Sequence, residues 1–172
     1  DSDFTAPERL RGVLREYQRI GYVWLRTLDS YGFGGILADD MGLGKTIQII
    51  ALLEDAYGSG EQSPSLIICP ASLVYNWEHE IRRFAPDLKV LSVVGSSSER
   101  EVFLNEVGRN PQDYQVIVTS YDLLRRDVGL YEAIHFRYQV IDEAQYIKNA
   151  STQSARAVKS LDVQTRFALT GT

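Results

Sequence analysis

The chain has 172 residues, enough for one domain of ordinary size that buries roughly 70% of its unfolded surface. With 44% hydrophobic and 24% charged residues it reads as globular, and its net charge of −5 excludes a dedicated basic nucleic-acid module. The single cysteine, Cys69, excludes an internal disulfide and a cysteine zinc site, and no apolar run approaches the ~18 residues of a membrane span. Together these features predict a soluble protein of a reducing, intracellular compartment.

The first periodic segment places Tyr17, Ile20, Gly21, Trp24, Leu25 and Leu28 at the i, i+3, i+4 spacing of an amphipathic helix. Glycines at 32, 34 and 35 break it, and Ile36-Leu37-Ala38 forms a short strand. A glycine-containing loop follows, and Ile47, Ile50, Ala51 and Leu53 continue as a helix up to Gly58-Ser59-Gly60. Leu66-Ile67-Ile68-Cys69 is a buried strand stopped by Pro70, in which Cys69 is expected to be a small buried residue rather than a reactive thiol. Ser72 is placed to cap a helix carrying Leu73, Trp77, Ile81 and Phe84 on one face.

Val90-Leu91-Ser92-Val93-Val94 is the next strand, and Ser98-Glu99-Arg100-Glu101 has capping-box spacing for the helix after it. Val116-Ile117-Val118-Thr119 and Val140-Ile141-Asp142 are strands separated by helical material between 121 and 134. A helix over 151–161 and a last strand, Phe167-Ala168-Leu169-Thr170, complete the pattern. Continuously apolar strands alternating with helices predict an α/β fold, with a mainly parallel sheet covered on both faces. Ligands of such sheets collect at the carboxyl ends of the strands, where the polar segments of this chain recur.

Asp40-Met41-Gly42-Leu43-Gly44-Lys45-Thr46 lies between a strand and a helix, as a phosphate-binding loop does. The general pattern begins with glycine, where this chain has Asp39. Gly42 and Gly44 still allow backbone N–H groups to turn toward phosphate oxygens. Lys45 supplies charge for the β- and γ-phosphates of ATP, and the Thr46 hydroxyl is a candidate Mg²⁺ ligand. Asp142-Glu143 follow an apolar strand. There Asp142 would hold Mg²⁺, and Glu143 would orient or deprotonate the attacking water.

Four segments, Leu14-Arg15-Glu16-Tyr17-Gln18, 39–46, Asp142-Glu143-Ala144-Gln145 and Leu169-Thr170-Gly171-Thr172, occur in the order of superfamily-two helicase motifs. With Ala38-Asp39-Asp40, Asn76-Trp77-Glu78 and Ile147-Lys148-Asn149, the chain resembles the first RecA-like ATPase lobe of Swi/Snf-type DNA translocases from Leu10 to Thr172. In that family an acidic residue stands at the Asp39 position. The resemblance implies that Gln18 reads the adenine edge. It also implies that Pro70-Ala71-Ser72 and Thr119-Ser120-Tyr121 lie on a DNA sugar-phosphate backbone, and that Thr170-Gly171-Thr172 couple the γ-phosphate site to DNA. Gln145 departs from the histidine of many relatives, which leaves its coupling partner open. Arg100 resembles a recurrent family position, either near DNA or on a solvated helix. Arg125-Arg126, His79 and His135 read as solvated or packing residues.

The resemblance therefore implies an ATP- and Mg²⁺-dependent translocase on double-stranded DNA. Residues 1–172 would form its first lobe, preceded by the short adenine-motif helix, and a second lobe outside this chain would supply arginine fingers. Two rivals remain: a scaffold with a vestigial nucleotide site, and an RNA helicase lobe of the same superfamily. Gln145 and the compact loops lean toward a bacterial, nucleoid-associated cytoplasmic protein; a eukaryotic one would be nuclear.

Overall fold

The computed structural model describes residues 43–147 and 152–170, and the strand backbone at 35–38. The expected helix over 17–28, with Gln18, lies outside the described residues, as do Asp40, Met41, Gly42, Gly171 and Thr172.

The described strands are β1 (Gly35–Ala38), β2 (Ser65–Cys69), β3 (Val90–Ser92), β4 (Val116–Ser120), β5 (His135–Ile141) and β6 (Asp162–Thr170). They form one six-stranded sheet in the order β1-β6-β5-β2-β4-β3, with every pair parallel. The helices are α1 (Leu43–Gly58), α2 (Val74–Phe84), α3 (Ser97–Arg109), α4 (Tyr121–Tyr131) and α5 (Gln153–Ser160).

The apolar runs of the strands are explained by what covers them. Every residue of β2 and β4 is buried, because each strand has a neighbour on either side and helices on both faces. Successive residues then alternate between two cores. Ile67, Cys69, Val116, Val118, Val140, Phe167 and Leu169 pack with α1 and α2. Leu66, Ile68, Ile117, Ile141 and Ala168 pack with α3, α4 and α5. Cys69 is fully buried, as expected, and burial pushes its thiol pKa up, which leaves it neutral.

Helix ends follow local chemistry. Gly60, at φ +99°, closes α1: its N–H reaches Tyr57 O at 3.2 Å and the Glu61 N–H reaches Ala56 O at 3.2 Å. This is the paired bonding of a helix stop that needs a left-handed residue. Ser120 and Thr152 cap α4 and α5 by accepting from Leu123 N and Ala155 N.

Several expected details change. The cap of α3 is Ser96, which accepts from Glu99 N at 3.1 Å, so the helix is capped two residues earlier than Ser98. Ser72 caps nothing; a 3₁₀ turn over Ala71–Leu73 feeds α2 instead. Val74, Trp77 and Ile81 form the buried face of α2, while Phe84 is 40% exposed with Arg83 over its ring. Strands β5 and β6 both begin about five residues before their apolar cores, paired from His135↔Asp162 onward. The leading half of β6 extends past β1, which pairs only with 167–170, and that of β5 extends past β2, which pairs only with 139–141, and so both keep polar residues.

Arg100 is not a solvated residue. It is 6% exposed, and its Nε and Nη2 donate to both carboxylate oxygens of Asp127 at 2.6 and 3.0 Å. Its Nη1 donates to Gly95 O at 2.7 Å, so the guanidinium ties α3 to α4. Arg125 pairs loosely with Asp122, and His135 with Asp162, both near the surface.

Candidate nucleotide site

Register decides what meets at the strand ends. Ala38, which ends β1, lies beside Thr170, which ends β6, and Ile141 of β5 lies beside Ala168. The start of α1, the acidic pair after β5 and Thr170 therefore share one edge of three adjacent strands.

At that edge Lys45, in the first turn of α1, is only 5% exposed. Its Nζ lies 3.1 Å from Asp142 Oδ1 and 3.4 Å from Glu143 Oε1. A lysine this buried is tolerated because two carboxylates meet it. Thr46, next along the helix, is buried at 8% exposure.

Asp142 is fixed at every polar atom. Its N–H donates to Ile68 O at 2.7 Å, which continues the β5–β2 ladder past the last strand residue. Its carbonyl accepts from Tyr121 Oη at 2.7 Å. Oδ1 accepts from the Glu143 N–H at 2.9 Å as well as facing Lys45, and Oδ2 accepts from Trp77 Nε1 at 2.9 Å. Burial holds the Tyr121 phenol well above its ordinary pKa, so it stays protonated and donating.

Glu143 adopts φ +53°, a left-handed conformation that costs a non-glycine residue about 1 kcal/mol. The chain turns there into the 3₁₀ turn Ala144–Ile147, and the side chain stays half-exposed beside Lys45. Gln145, whose partner was open, lies on that turn and bridges two strand ends. Its Nε2 donates to Glu143 Oε2 at 2.5 Å, and its Oε1 accepts from Thr170 Oγ1 at 3.4 Å.

The two segments expected along DNA differ. Ala71 and Ser72 are exposed and Pro70 is half-buried. Thr119, Ser120 and Tyr121 are buried, and their hydroxyls are engaged inside the fold: Thr119 donates to Val93 O, Ser120 caps α4, and Tyr121 holds Asp142. Tyr121 also stacks on Tyr146, at 5.7 Å between ring centroids.

Among the described residues no three or more His, Cys, Asp or Glu converge as a metal cluster, and no helix is long and apolar enough to cross a membrane. Trp77 and Tyr121 are the residues that sequence reading missed at this site. Their contacts to Asp142 span 65 and 21 residues, and no local pattern encodes them.

Comparison with known proteins agrees with this geometry. The family described as "SNF2-related domain" matches residues 17–172. Helicase SWR1 of Mycosarcoma maydis is 42% identical over 96% of this chain, which spans 9% of that protein. An uncharacterized ATP-dependent helicase of Mycoplasma genitalium is 42% identical over 92% of the chain, which spans 15% of it. Among solved structures, the Sulfolobus solfataricus SWI2/SNF2 ATPase core in complex with dsDNA is 44% identical, with a TM-score of 0.70. That match covers 91% of this chain and 31% of that one. The described sheet is thus the RecA-like α/β fold expected, and this chain belongs to the SNF2-related domain family.

Proposed function

We propose that this chain is the ATP-binding lobe of an ATP-dependent, Swi/Snf-type translocase on double-stranded DNA. The carrying observation is Lys45 held between Asp142 and Glu143 at the mouth of α1. A helix N-terminus and a buried cation form an anion site, and two carboxylates beside it serve the chemistry of a terminal phosphate.

In this reading the backbone of Asp40, Met41, Gly42, Leu43 and Gly44 wraps the phosphates, and Gln18 holds the adenine. Lys45 exchanges its carboxylate partners for β- and γ-phosphate oxygens. Thr46 and Asp142 hold Mg²⁺, which needs only one or two carboxylates when phosphate and water oxygens complete its shell, so this donor pair fits. Bound there, Mg²⁺ supplies neutralisation of phosphate charge. Glu143 orients water for in-line attack on the γ-phosphate and receives its proton, while Thr170, Gly171 and Thr172 report the state of that phosphate.

Ala71 and Ser72, with Pro70, offer the exposed edge for a DNA backbone, and Thr119, Ser120 and Tyr121 support that edge from inside. The archaeal relative was solved as a complex with dsDNA, which supports double-stranded DNA as the track. A second lobe supplies arginine fingers, worth roughly 10³–10⁵ in rate. Alone, residues 1–172 would bind nucleotide weakly and turn over hardly at all. The protein would act where its DNA lies, in a nucleoid or a nucleus.

The test is ATP turnover by the full-length protein with duplex DNA, comparing the native sequence with Glu143→Gln. Losing a general base lowers turnover by about 10²-fold or more. Unchanged turnover would make the site vestigial and the protein a scaffold. Stronger activation by RNA than by duplex DNA would make it an RNA helicase lobe.

A further inference from the structure

The carboxylate of Asp142 is oriented by a side chain that the reaction above does not use. A carboxylate swings broadly about its terminal torsion, so its direction must be imposed by neighbours. Trp77, 1% exposed in the middle of α2, donates its indole N–H to Oδ2 at 2.9 Å. That leaves Oδ1 turned toward Lys45. A buried indole N–H needs some acceptor, and a backbone carbonyl would satisfy it. Here the acceptor is the one carboxylate expected to hold the metal.

The element that carries Trp77 also matters. α2 begins directly after the 3₁₀ turn Ala71–Leu73, whose Ala71 and Ser72 are exposed at the strand-end edge. Trp77 lies five residues beyond Ser72, about one and a half helical turns away on a rigid rod. A rigid α2 would carry any movement of the turn to the indole, and through that hydrogen bond to Oδ2.

We propose that Trp77 is a positioning residue for Mg²⁺ at Asp142, and that α2 carries occupancy of the 71–73 turn by a DNA backbone to that metal. The proposal rests on the nucleotide-site reading given above. Trp77 touches neither nucleotide nor water; it acts through Asp142.

The experiment measures binding of a fluorescent ATP analogue to the full-length protein, in EDTA and across a Mg²⁺ titration, with and without duplex DNA. It compares the native protein with Trp77→Phe and with Trp77→benzothienylalanine, an isostere in which sulfur replaces the indole N–H. Circular dichroism verifies folding, and the isostere decides if the phenylalanine variant unfolds. Binding in EDTA should stay within about twofold of native. The half-saturating Mg²⁺ concentration should rise about 10-fold, the scale at which partners of metal ligands act. Duplex DNA should lower that concentration in the native protein and not in the variants. An unchanged Mg²⁺ midpoint in the isostere overturns the positioning role. A DNA-induced shift that persists in the variants, or is absent from the native protein, overturns the coupling through α2. Failure of the native protein to bind nucleotide at all would instead overturn the reading of the site, which separates the two failures.

Discussion

Gln145 and Thr170 join the ends of two neighbouring strands: the Thr170 hydroxyl donates to Gln145 Oε1 at 3.4 Å, and the same amide donates to Glu143. One side chain therefore links the residue expected to position water with the end of β6, where the coupling segment begins. Gln145→Ala removes both bonds without touching Lys45 or Asp142. Each bond is worth about 1 kcal/mol, so DNA-stimulated turnover of the full-length protein should fall about fivefold to thirtyfold. Nucleotide affinity should remain near native. A loss of affinity with unchanged turnover would contradict this assignment.

The clamp between α3 and α4 makes a stability prediction. Arg100 and Asp127 are both buried, and either charge alone would be stranded. Arg100→Leu should destabilise the chain by about 3–5 kcal/mol in urea unfolding. Arg100→Leu combined with Asp127→Leu should recover much of that loss, since no unpaired charge remains. A double variant as unstable as the sum of the singles would show that the pair itself, and not the stranded partner, accounts for the cost.

Two glycines should respond with opposite sign. Gly60 sits at φ +99°, so Gly60→Ala forces a side chain into the left-handed region and should cost about 1 kcal/mol. Gly129 lies inside α4, where an added Cβ meets nothing within 4 Å. Gly129→Ala should stabilise by about 0.5–1 kcal/mol. Thermal melts of the two variants should move in opposite directions, and a common direction would refute the backbone argument.

Alkaline pH should unfold the chain cooperatively. Burial raises the pKa values of Tyr57, Tyr121 and Tyr131 above the ordinary value of 10.0. A phenol raised in the folded state contributes stability that is complete below its unfolded pKa. As pH climbs past about 10 the unfolded state releases its protons first, and the folded state loses ground. Absorbance at 295 nm should therefore include a step that coincides with loss of circular dichroism. Smooth ionisation of all 10 tyrosines with the fold intact would contradict it.

Local chemistry by itself determined the alternation of strands and helices and the placing of Lys45-Thr46 and Asp142-Glu143 beside a strand end. Leu66 to Cys69 and Val116 to Val118 are apolar without interruption because both faces of their strands are covered, and such runs are visible in one dimension. Lys45 with Thr46, and Asp142 with Glu143, were legible for the same reason, since each motif is contiguous and flanked by its own element. The leading halves of β5 and β6 were hidden because only one neighbour and partial cover shape their composition. Tertiary structure alone decided the strand order, and with it the alignment of Ala38 with Thr170 and of Ile141 with Ala168. It also decided the partners of Arg100, Gln145, Tyr121 and Trp77. Those partners are set by sheet register and helix packing across as many as 65 residues, a distance over which neither propensity nor periodicity carries information.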